Sequence, residues 1–217
     1  MPRLSICAIV MIAFAAAASL QRSAAFAPSI ARGGAFAGNT STSRLNLLNK
    51  LFGSTSTEGL PIMAEETVMN QKAHGTSDKP VQKELRWNCD YDTADRICNF
   101  NRHYAEFAGY WQTTEFLNYV KENYKGEPLE FFDSVTGELL FKAPVGRSME
   151  AFLKESASHG WPSFRDEEVV WDYVRCLRNG ECISTTGTHL GHNLPDGTGN
   201  RYCINLVSVA GMPEKKE

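Results

Sequence analysis

The first 57 residues of the chain contain no aspartate or glutamate: Glu58 is the first acidic residue, although five basic residues precede it. Subtracting those five from the 22 Lys and Arg residues of the whole sequence leaves 17 basic against 25 acidic residues, a net charge of −8, in the remainder. Nucleic-acid binding requires a basic face, so we expect no nucleic-acid partner.

A hydrophobic run long enough to cross a bilayer is also missing. The apolar region at residues 6–20 has fifteen residues, whereas a membrane-spanning helix needs about 20. Arg3 precedes this region and Ser-Ala-Ala at residues 23–25 follows it, which is the pattern of a cleavable signal peptide over residues 1–25. The alternative is an anchor helix in the membrane interface. We expect no membrane contact of the mature form.

Residues 26–57 are rich in Ser, Thr and Ala and lack acids, which is the composition of a transit peptide. The junction AAFAP places Phe26 directly after the expected cleavage site, and it resembles the bipartite plastid presequences of diatoms and related algae. This resemblance implies transport to the plastid stroma after removal of both segments. The alternative destination is the secretory pathway.

The six cysteines do not follow the spacing of a secreted disulfide framework or of a strong zinc motif. Cys89, Cys98 and His103 are irregularly spaced, which favours core and surface roles over a metal site. No coenzyme motif is visible, so we expect no bound cofactor and a supply of electrons from external thiols.

Changes in composition divide the chain into segments. Residues 58–83 are polar and unpatterned, which indicates a linker or disorder. Residues 84–127 are strongly aromatic and include a predicted helix at residues 114–124. About forty residues cannot make their own core, so we expect this helical extension to pack on the domain that follows. That domain spans residues 128–212, and a charged, loose tail occupies residues 213–217.

The domain at residues 128–212 is expected to be mainly β, with antiparallel sheets and a few peripheral helices. Residues 139–141 and 168–174 are predicted strands. Ser148 is the predicted cap of a helix over residues 149–158, and Gly160 lies just past its end.

Asn179 and Gly180 are a signal for a hairpin with a two-residue turn. In that register Cys176 opposes Ile183, so Cys176 and Cys182 point to opposite faces of the hairpin. A disulfide between these two cysteines is therefore disfavoured.

The segment RYCINL at residues 201–206 alternates in the manner of a half-buried strand. Tyr202, Ile204 and Leu206 share an apolar face, whereas Arg201, Cys203 and Asn205 share the other. A cation near a thiol supplies thiolate, which makes Cys203 a candidate nucleophile. The alternative is a small buried cysteine beside a surface arginine.

Four motifs carry a resemblance to a known family. They are FDSVTGELLF at residues 132–141, GWPSF at 160–164, GTHLGH at 187–192 and RYCIN at 201–205. In this order they resemble the R-specific methionine sulfoxide reductases of the MsrB family, over roughly residues 129–211. The resemblance implies the antiparallel β fold of that family.

The resemblance also implies the role of each site residue. Cys203 would attack the sulfoxide sulfur and become a sulfenic acid, while Trp161 and Phe164 would bind the substrate. His189 and His192 would bind or protonate the sulfoxide oxygen. Asp196, Arg201 and Asn205 would orient these groups and tune the thiol. A binding module without redox chemistry and a redox sensor based on Cys203 are the two alternative functions.

The chain departs from the family pattern at the zinc site. Many members hold a structural zinc on two CxxC pairs. The corresponding positions here are Asp133, Thr136, Ile183 and Thr186, and none is cysteine. We therefore expect a zinc-free form.

A second departure concerns the thiol that recycles the enzyme. His159 stands where the family has its usual resolving cysteine, and histidine cannot form a disulfide. Cys98, or else Cys89, is the candidate within the chain, because both lie in a segment expected to move. The alternative is direct attack by an external thiol such as thioredoxin or glutaredoxin.

Overall fold

Two antiparallel β-sheets are the framework of the computed structural model, which describes residues 59–214. The strands are β1 (Leu129–Phe132), β2 (Leu139–Ala143), β3 (Ser163–Phe164), β4 (Val174–Cys176), β5 (Glu181–Ser184), β6 (His189–Asn193) and β7 (Tyr202–Ile204). β1 pairs with β2, and the other five strands form a second sheet in the order β3-β7-β6-β5-β4. The expectation of a mainly antiparallel β fold is confirmed.

The helices are short. They are α1 (Tyr91–Asp95), α2 (Tyr110–Thr113), α3 (Phe116–Asn123) and α4 (Met149–His159), with a π-helical turn at Arg96–Phe100 and 3-10 helices at Glu66–Met69, Arg86–Asn88, Asp166–Glu168 and Leu206–Ser208. No helix among the described residues is long and apolar enough to cross a membrane. The predicted signal and transit peptides, and the last three residues of the predicted tail, fall outside the described part of the chain.

Helix α4 begins and ends close to where the sequence predicts. The Ser148 hydroxyl accepts a hydrogen bond from the backbone N–H of Ala151 at 3.1 Å, which is the N-cap contact. Gly160 follows the helix in the left-handed conformation that suits its C-terminus. Phe152 of this helix is fully buried, which fixes the helix on the core. Trp161 lies in the short connection between the helix and β3.

Aromatic packing joins the two sheets to α4. Phe131 of β1, Phe141 of β2, Phe152 of α4 and Phe164 of β3 are all fully buried. The rings of Phe141 and Phe164 stack with centroids 4.4 Å apart, and Phe131 meets Phe164 edge-on at 5.0 Å. Aromatic side chains bury large apolar areas, so this cluster fixes β3 and the neighbouring β7 against the rest of the fold.

The aromatic segment at residues 84–127 is part of the same core. Trp87, Ile97, Cys98, Trp111 and Phe116 are buried and pack in one cluster with the side chains of both sheets. The expectation that this segment packs on the β domain is confirmed. Its apolar side chains lie inside the core, so the expected movement of this segment, which stays a prediction, would require the core to open.

Residues 59–83 are not the linker that their composition suggests. The backbone on either side of Met63 pairs with the outer edge of β4: Cys176 N–H donates to the carbonyl of Ile62, and Ala64 N–H donates to the carbonyl of Cys176, both at 2.9 Å. Val81 is 2% exposed within the main core. The linker prediction was wrong because it was based on side-chain polarity, and backbone hydrogen bonds of this kind do not depend on the side chains.

The hairpin of β4 and β5 has a different register from the predicted one. Cys176 lies directly opposite Cys182, not Ile183. The turn has three residues instead of two: Leu177 N–H donates to the Glu181 carbonyl, and Gly180 adopts a φ of +87°. A one-residue change of register moves side chains to the other face. The predicted strand at residues 168–174 was also wrong, since β4 begins only at its last residue.

Candidate active site

Six of the predicted site residues line one cavity of about 390 Å³. They are Trp161, His189, His192, Arg201, Cys203 and Asn205. Three further lining residues come from the loop between α1 and α2, and the sequence did not predict them as part of the site. They are His103, Tyr104 and Ala105. The cavity therefore lies between the sheet and the aromatic segment.

The sheet register brings the polar side chains of the cavity together. Cys203 of β7 lies opposite Ser163 of β3 on one side and opposite His192 of β6 on the other. His192 in turn lies opposite Glu181 of β5. Between these rows Gly191 permits close approach of β6 and β7, because a Cβ there would lie 2.0 Å from the Cys203 carbonyl oxygen.

The thiol of Cys203 is half-buried and is in contact with a cation. Arg201 Nη1 donates to Cys203 Sγ at 2.7 Å, and the hydroxyl of Ser163 lies 3.9 Å from the same sulfur. Arg201 is only 8% exposed, so little water screens its charge. A buried guanidinium aimed at sulfur stabilises negative charge on it, which suits Cys203 to nucleophilic attack.

Asp196 does not line the cavity but lies beside the guanidinium of Arg201. Its Oδ2 lies at an ion-pair distance of 3.4 Å from Arg201 Nε and accepts a hydrogen bond from Arg165 at 2.9 Å. The hydrogen bonds from Arg165 and Thr198 hold the pKa of Asp196 well below its ordinary value. Asp196 is therefore a charged neighbour of Arg201 outside the cavity, and its orienting role stays a prediction.

His189 is fixed by a carboxylate that the sequence reasoning missed. His189 Nδ1 lies 2.8 Å from Oε1 of Glu181, and both side chains are 1% exposed. Glu181 also accepts from Arg102 at 2.6 to 3.0 Å. Burial alone would raise the pKa of Glu181, but the hydrogen bonds from His189 and Arg102 outweigh it and lower the pKa to about 2. A fixed charge thus orients the imidazole.

His192 is the second histidine of the cavity and lies next to the first. The two imidazole centroids are 5.6 Å apart. Burial lowers the pKa of His192, and the charges of His189 and His103 act in the same direction. His192 thus places a second imidazole at the cavity wall, within reach of a bound substrate.

Trp161 is held in place by the loop between α1 and α2. Its Nε1 donates to the backbone carbonyl of Glu106 at 3.1 Å. The Glu106 carboxylate is buried and accepts from the backbone N–H groups of Leu206 and Val207 at 2.8 and 3.1 Å. Burial raises its pKa to about 7, against the lowering effect of those two hydrogen bonds. Glu106 thus anchors one cavity wall to the chain just after β7.

Asn205 completes this connection. It is 2% exposed, its Nδ2 donates to the Leu190 carbonyl at 3.1 Å, and its Oδ1 accepts from the backbone N–H of Glu106 at 3.3 Å. Both contacts are with backbone atoms around the cavity. Asn205 therefore has the orienting position expected of it, although its partner Glu106 was not foreseen.

Phe164 does not belong to the site. It is fully buried in the aromatic core against Phe141 and is not among the residues that line the cavity. The prediction that it binds substrate was wrong. In a strand, neighbouring residues point to opposite faces, so Phe164 turns into the core where Ser163 turns towards Cys203.

The two candidate resolving cysteines lie inside the protein. Cys98 is fully buried with its sulfur 3.6 Å from the Ser208 hydroxyl, and burial raises its pKa well above the ordinary value. Cys89 is 9% exposed, and burial raises its pKa as well. A resolving role for either thiol stays a prediction, and it would require the core to open.

A hydrogen-bond network lies at Asp133 and Thr186, two of the four positions at which the family resemblance implies zinc ligands. Asp133 is fully buried and accepts a bifurcated hydrogen bond from the Thr188 hydroxyl, which lies 3.0 Å from each carboxylate oxygen. The hydroxyls of Ser184 and Thr186 are 2.8 Å apart. Burial raises the pKa of Asp133 despite these donors. The network ties the β1–β2 turn to the β5–β6 turn.

Potential metal ligands gather at another place. Among the described residues one group of three has its ligand atoms within 4.8 Å of one another: Glu155, His159 and Asp196. Both carboxylates already bind Arg165. None of the three residues is among the four positions, Asp133, Thr136, Ile183 and Thr186, that the family resemblance relates to zinc.

A cysteine in contact with a cation, two histidines and an indole wall in one cavity define the site of a thiol-dependent oxidoreductase. The chain is 32% identical to "Peptide methionine sulfoxide reductase MsrB" of Leifsonia xyli subsp. xyli, over 36% of this chain and 71% of that protein. It is 30% identical to the protein of the same name from Methylibium petroleiphilum, over 64% of this chain and 98% of that protein. The chain belongs to the MsrB family.

A third relative is "Methionine-R-sulfoxide reductase B2, mitochondrial" of Danio rerio, 34% identical over 29% of this chain and 44% of that protein. No family model matches the chain. No solved structure matches it either. The Methylibium alignment uses more of the chain than residues 129–211 could supply, so the likeness to the family extends beyond the stretch that holds the four motifs.

Proposed function

We propose that the protein reduces the R epimer of methionine sulfoxide, in oxidised proteins or as the free amino acid, and so repairs oxidative damage. The observation that carries the proposal is the contact of 2.7 Å between Arg201 Nη1 and Cys203 Sγ inside the cavity. A cation at this distance favours the thiolate, which is the nucleophilic form of cysteine. Membership of the MsrB family supplies the substrate class.

The proposed step transfers one oxygen atom from substrate to enzyme. The Cys203 thiolate attacks the sulfoxide sulfur while His189 or His192 donates a proton to the sulfoxide oxygen. The sulfur–oxygen bond of the substrate breaks and methionine leaves, reduced by two electrons. Cys203 gains the oxygen and becomes a sulfenic acid, oxidised by two electrons. Glu181 occupies Nδ1 of His189, which leaves Nε2 for the substrate.

Trp161 supplies the stereochemical choice. An indole wall held through Nε1 cannot rotate away, so it fixes where the substrate methyl group lies. The position of the methyl group decides which face of the sulfur meets Cys203. The name of the Danio rerio relative specifies the R-sulfoxide, which agrees with this choice.

Regeneration requires an external thiol, such as thioredoxin or glutaredoxin. A thiol attacks the Cys203 sulfenic acid to form a mixed disulfide and water, and a second thiol then releases reduced Cys203. Cys203 lines an open cavity, whereas Cys89 and Cys98 are buried. Access therefore favours the external donor over the two internal candidates.

We further propose that the fold needs no structural zinc. The buried network around Asp133 joins the same two turns that a zinc ion would join, using hydroxyl donors from Thr188 and backbone N–H groups. A buried carboxylate is stable only when donors surround it, and here they do.

The proposed location is the plastid stroma, on the evidence of the presequence pattern alone. Residues 1–57 fused to a fluorescent protein should reach the plastid, whereas the same fusion with Phe26→Ala should enter the secretory route. Phe26 acts as an address that a receptor reads after signal cleavage. Cytosolic fluorescence of the unaltered fusion would contradict the proposal.

The reductase proposal is tested with the two separated sulfoxide epimers of a methionine-containing peptide. The full chain with dithiothreitol should reduce the R epimer and leave the S epimer. Cys203→Ser should abolish turnover. A binding module would reduce neither epimer, and a general redox sensor would show no preference between them, so either result would overturn the proposal.

A further inference from the structure

Cys176 and Cys182 form a pair of touching thiols that the proposed reaction does not use. They lie directly opposite each other on β4 and β5, and their sulfurs are 3.4 Å apart. Both are buried, at 1% and 0% exposure. The N–H and carbonyl groups of Cys176 bond outward to residues 62 and 64, not to β5. In this non-hydrogen-bonded type of pair the side chains are closest.

We propose that Cys176 and Cys182 are a second redox site, which closes to an intramolecular disulfide when the protein meets hydrogen peroxide. One thiol attacks the peroxide, becomes a sulfenic acid and releases water. The second thiol displaces the sulfenic oxygen as a second water molecule and the sulfur–sulfur bond forms. Two thiols are oxidised by two electrons in total, and one peroxide molecule is reduced to two waters. This inference does not depend on the proposed reductase function.

Backbone geometry already suits the bond. Directly opposed residues of a non-hydrogen-bonded pair have Cα atoms about 4.5 Å apart, which lies within the range that a disulfide spans. The sulfurs therefore need to approach by rotation of the side chains, without a shift of either strand. Another buried thiol, Cys98, touches the Ser208 hydroxyl instead of a second sulfur.

The position of the pair determines its rate and its effect. Burial raises the pKa of Cys182 well above its ordinary value, so the thiolate is scarce and oxidation is slow. β4 is the last strand of its sheet, and peroxide enters when the residues that cover its edge open. The disulfide then locks β4 to β5 directly beside Glu181, which is the residue that orients His189.

Peptide mapping of the full chain with Cys203→Ser tests the inference, because this change removes the more accessible thiol. The reduced protein is treated with hydrogen peroxide and then unfolded in denaturant that contains N-ethylmaleimide, which alkylates the remaining free thiols. It is then digested with trypsin. Trypsin cleaves after Arg175 and Arg178, which puts the two cysteines on separate peptides. We expect residues 176–178 joined to residues 179–201 by a disulfide, while Cys89 and Cys98 are alkylated. Alkylation of both Cys176 and Cys182 would overturn the inference.

A matched variant identifies the partner. In Cys176→Ser with Cys203→Ser, peroxide should leave Cys182 alkylated and no disulfide within the chain. A disulfide that joins Cys182 to Cys89 or Cys98, in either protein, would show that the contact at 3.4 Å does not select the pair, and would also overturn the inference.

Discussion

Glu181 and His189 form a buried hydrogen-bonded pair: Oε1 and Nδ1 lie 2.8 Å apart and each side chain is 1% exposed. The two residues are eight positions apart in sequence and meet because β5 and β6 are neighbours. A carboxylate in this position fixes both the tautomer and the orientation of the imidazole. His189 therefore lines the cavity with its ring orientation fixed and with Nε2 free of this hydrogen bond.

The first prediction concerns this carboxylate. Glu181→Gln should lower kcat/KM for the R-sulfoxide roughly 10- to 100-fold, because a charge-assisted hydrogen bond to His189 is lost. Steady-state kinetics measures the loss. Glu66→Gln is the matched control, since exposed Glu66 binds the same Arg102 from outside at 2.5 Å. Equal losses in the two variants would mean that the charge on Arg102, and not the orientation of His189, is what matters.

The second prediction concerns Arg201. Arg201→Met should slow the alkylation of Cys203 by iodoacetamide at neutral pH several-fold, because the guanidinium that contacts its sulfur at 2.7 Å is gone. The other described cysteines are buried, so Cys203 reacts first. Arg175→Met is the control, because Arg175 donates to the backbone carbonyls of Trp171 and Val174 instead. An unchanged alkylation rate in Arg201→Met would remove the electrostatic basis of the mechanism.

The third prediction separates two aromatic residues of one motif. Trp161→Ala should stay folded and lose most of kcat/KM, since Trp161 lines the cavity. Phe164→Ala should instead lose about 3–5 kcal/mol of unfolding free energy, since Phe164 is fully buried in the core. Chemical denaturation and kinetics on both variants distinguish the roles. A stable Phe164→Ala protein with impaired substrate binding would restore the role that the sequence suggested.

The fourth prediction follows from the buried carboxyl of Glu106. Its pKa is raised from 4.5 to about 7, so the folded state binds its proton more tightly than the unfolded state does. The stability it contributes is fully present below pH 4.5 and is lost as pH rises through about 7. Glu106→Gln cannot titrate. The unfolding free energy of the wild type should therefore fall relative to that variant by up to about 3 kcal/mol over this window.

Urea denaturation of both proteins between pH 4 and 8 measures the difference. Other titrating groups are shared by the two proteins and cancel in the comparison. A difference that stays constant across the range, or that grows in favour of the wild type as pH rises, is incompatible with a raised pKa at Glu106.

The fifth prediction concerns zinc. The purified protein should contain less than about 0.1 zinc per chain, and its Tm should not change after treatment with a chelator, because hydrogen bonds around Asp133 hold the two turns together. Asp133→Ala should be strongly destabilising, since it leaves the Thr188 hydroxyl and two backbone N–H groups without their partner. One zinc per chain by elemental analysis would contradict the zinc-free proposal.

The sequence predicted the strand that carries Cys203 well, because alternation has a period of two and needs no knowledge of distant parts. Tyr202 and Ile204 are indeed buried while Cys203 faces the cavity. Glu181 was missed because its face depends on the hairpin register. The Asn179-Gly180 signal is compatible with turns of two or three residues, and the choice between them inverts every side chain that follows.

Glu106 was missed for a different reason. Its hydrogen bonds reach residues about one hundred positions further along the chain. No local pattern contains such a contact, and an acid among aromatic residues looks like a surface group. The helix α4 is the opposite case, since its cap at Ser148 and its stop at Gly160 are both local features. Local sequence signals thus predicted secondary-structure elements such as α4, whereas the hydrogen-bond partners within the site depend on tertiary structure.

The strip of backbone around Met63 gives β4 a neighbour on its outer side. A strand at the margin of a sheet otherwise offers free N–H and carbonyl groups to any extended chain, including another copy of itself. Proteolytic trimming up to residue 84 would uncover that margin without touching a single catalytic side chain. Such a shortened protein should be prone to self-association through β4, which light scattering of the full and trimmed chains would detect.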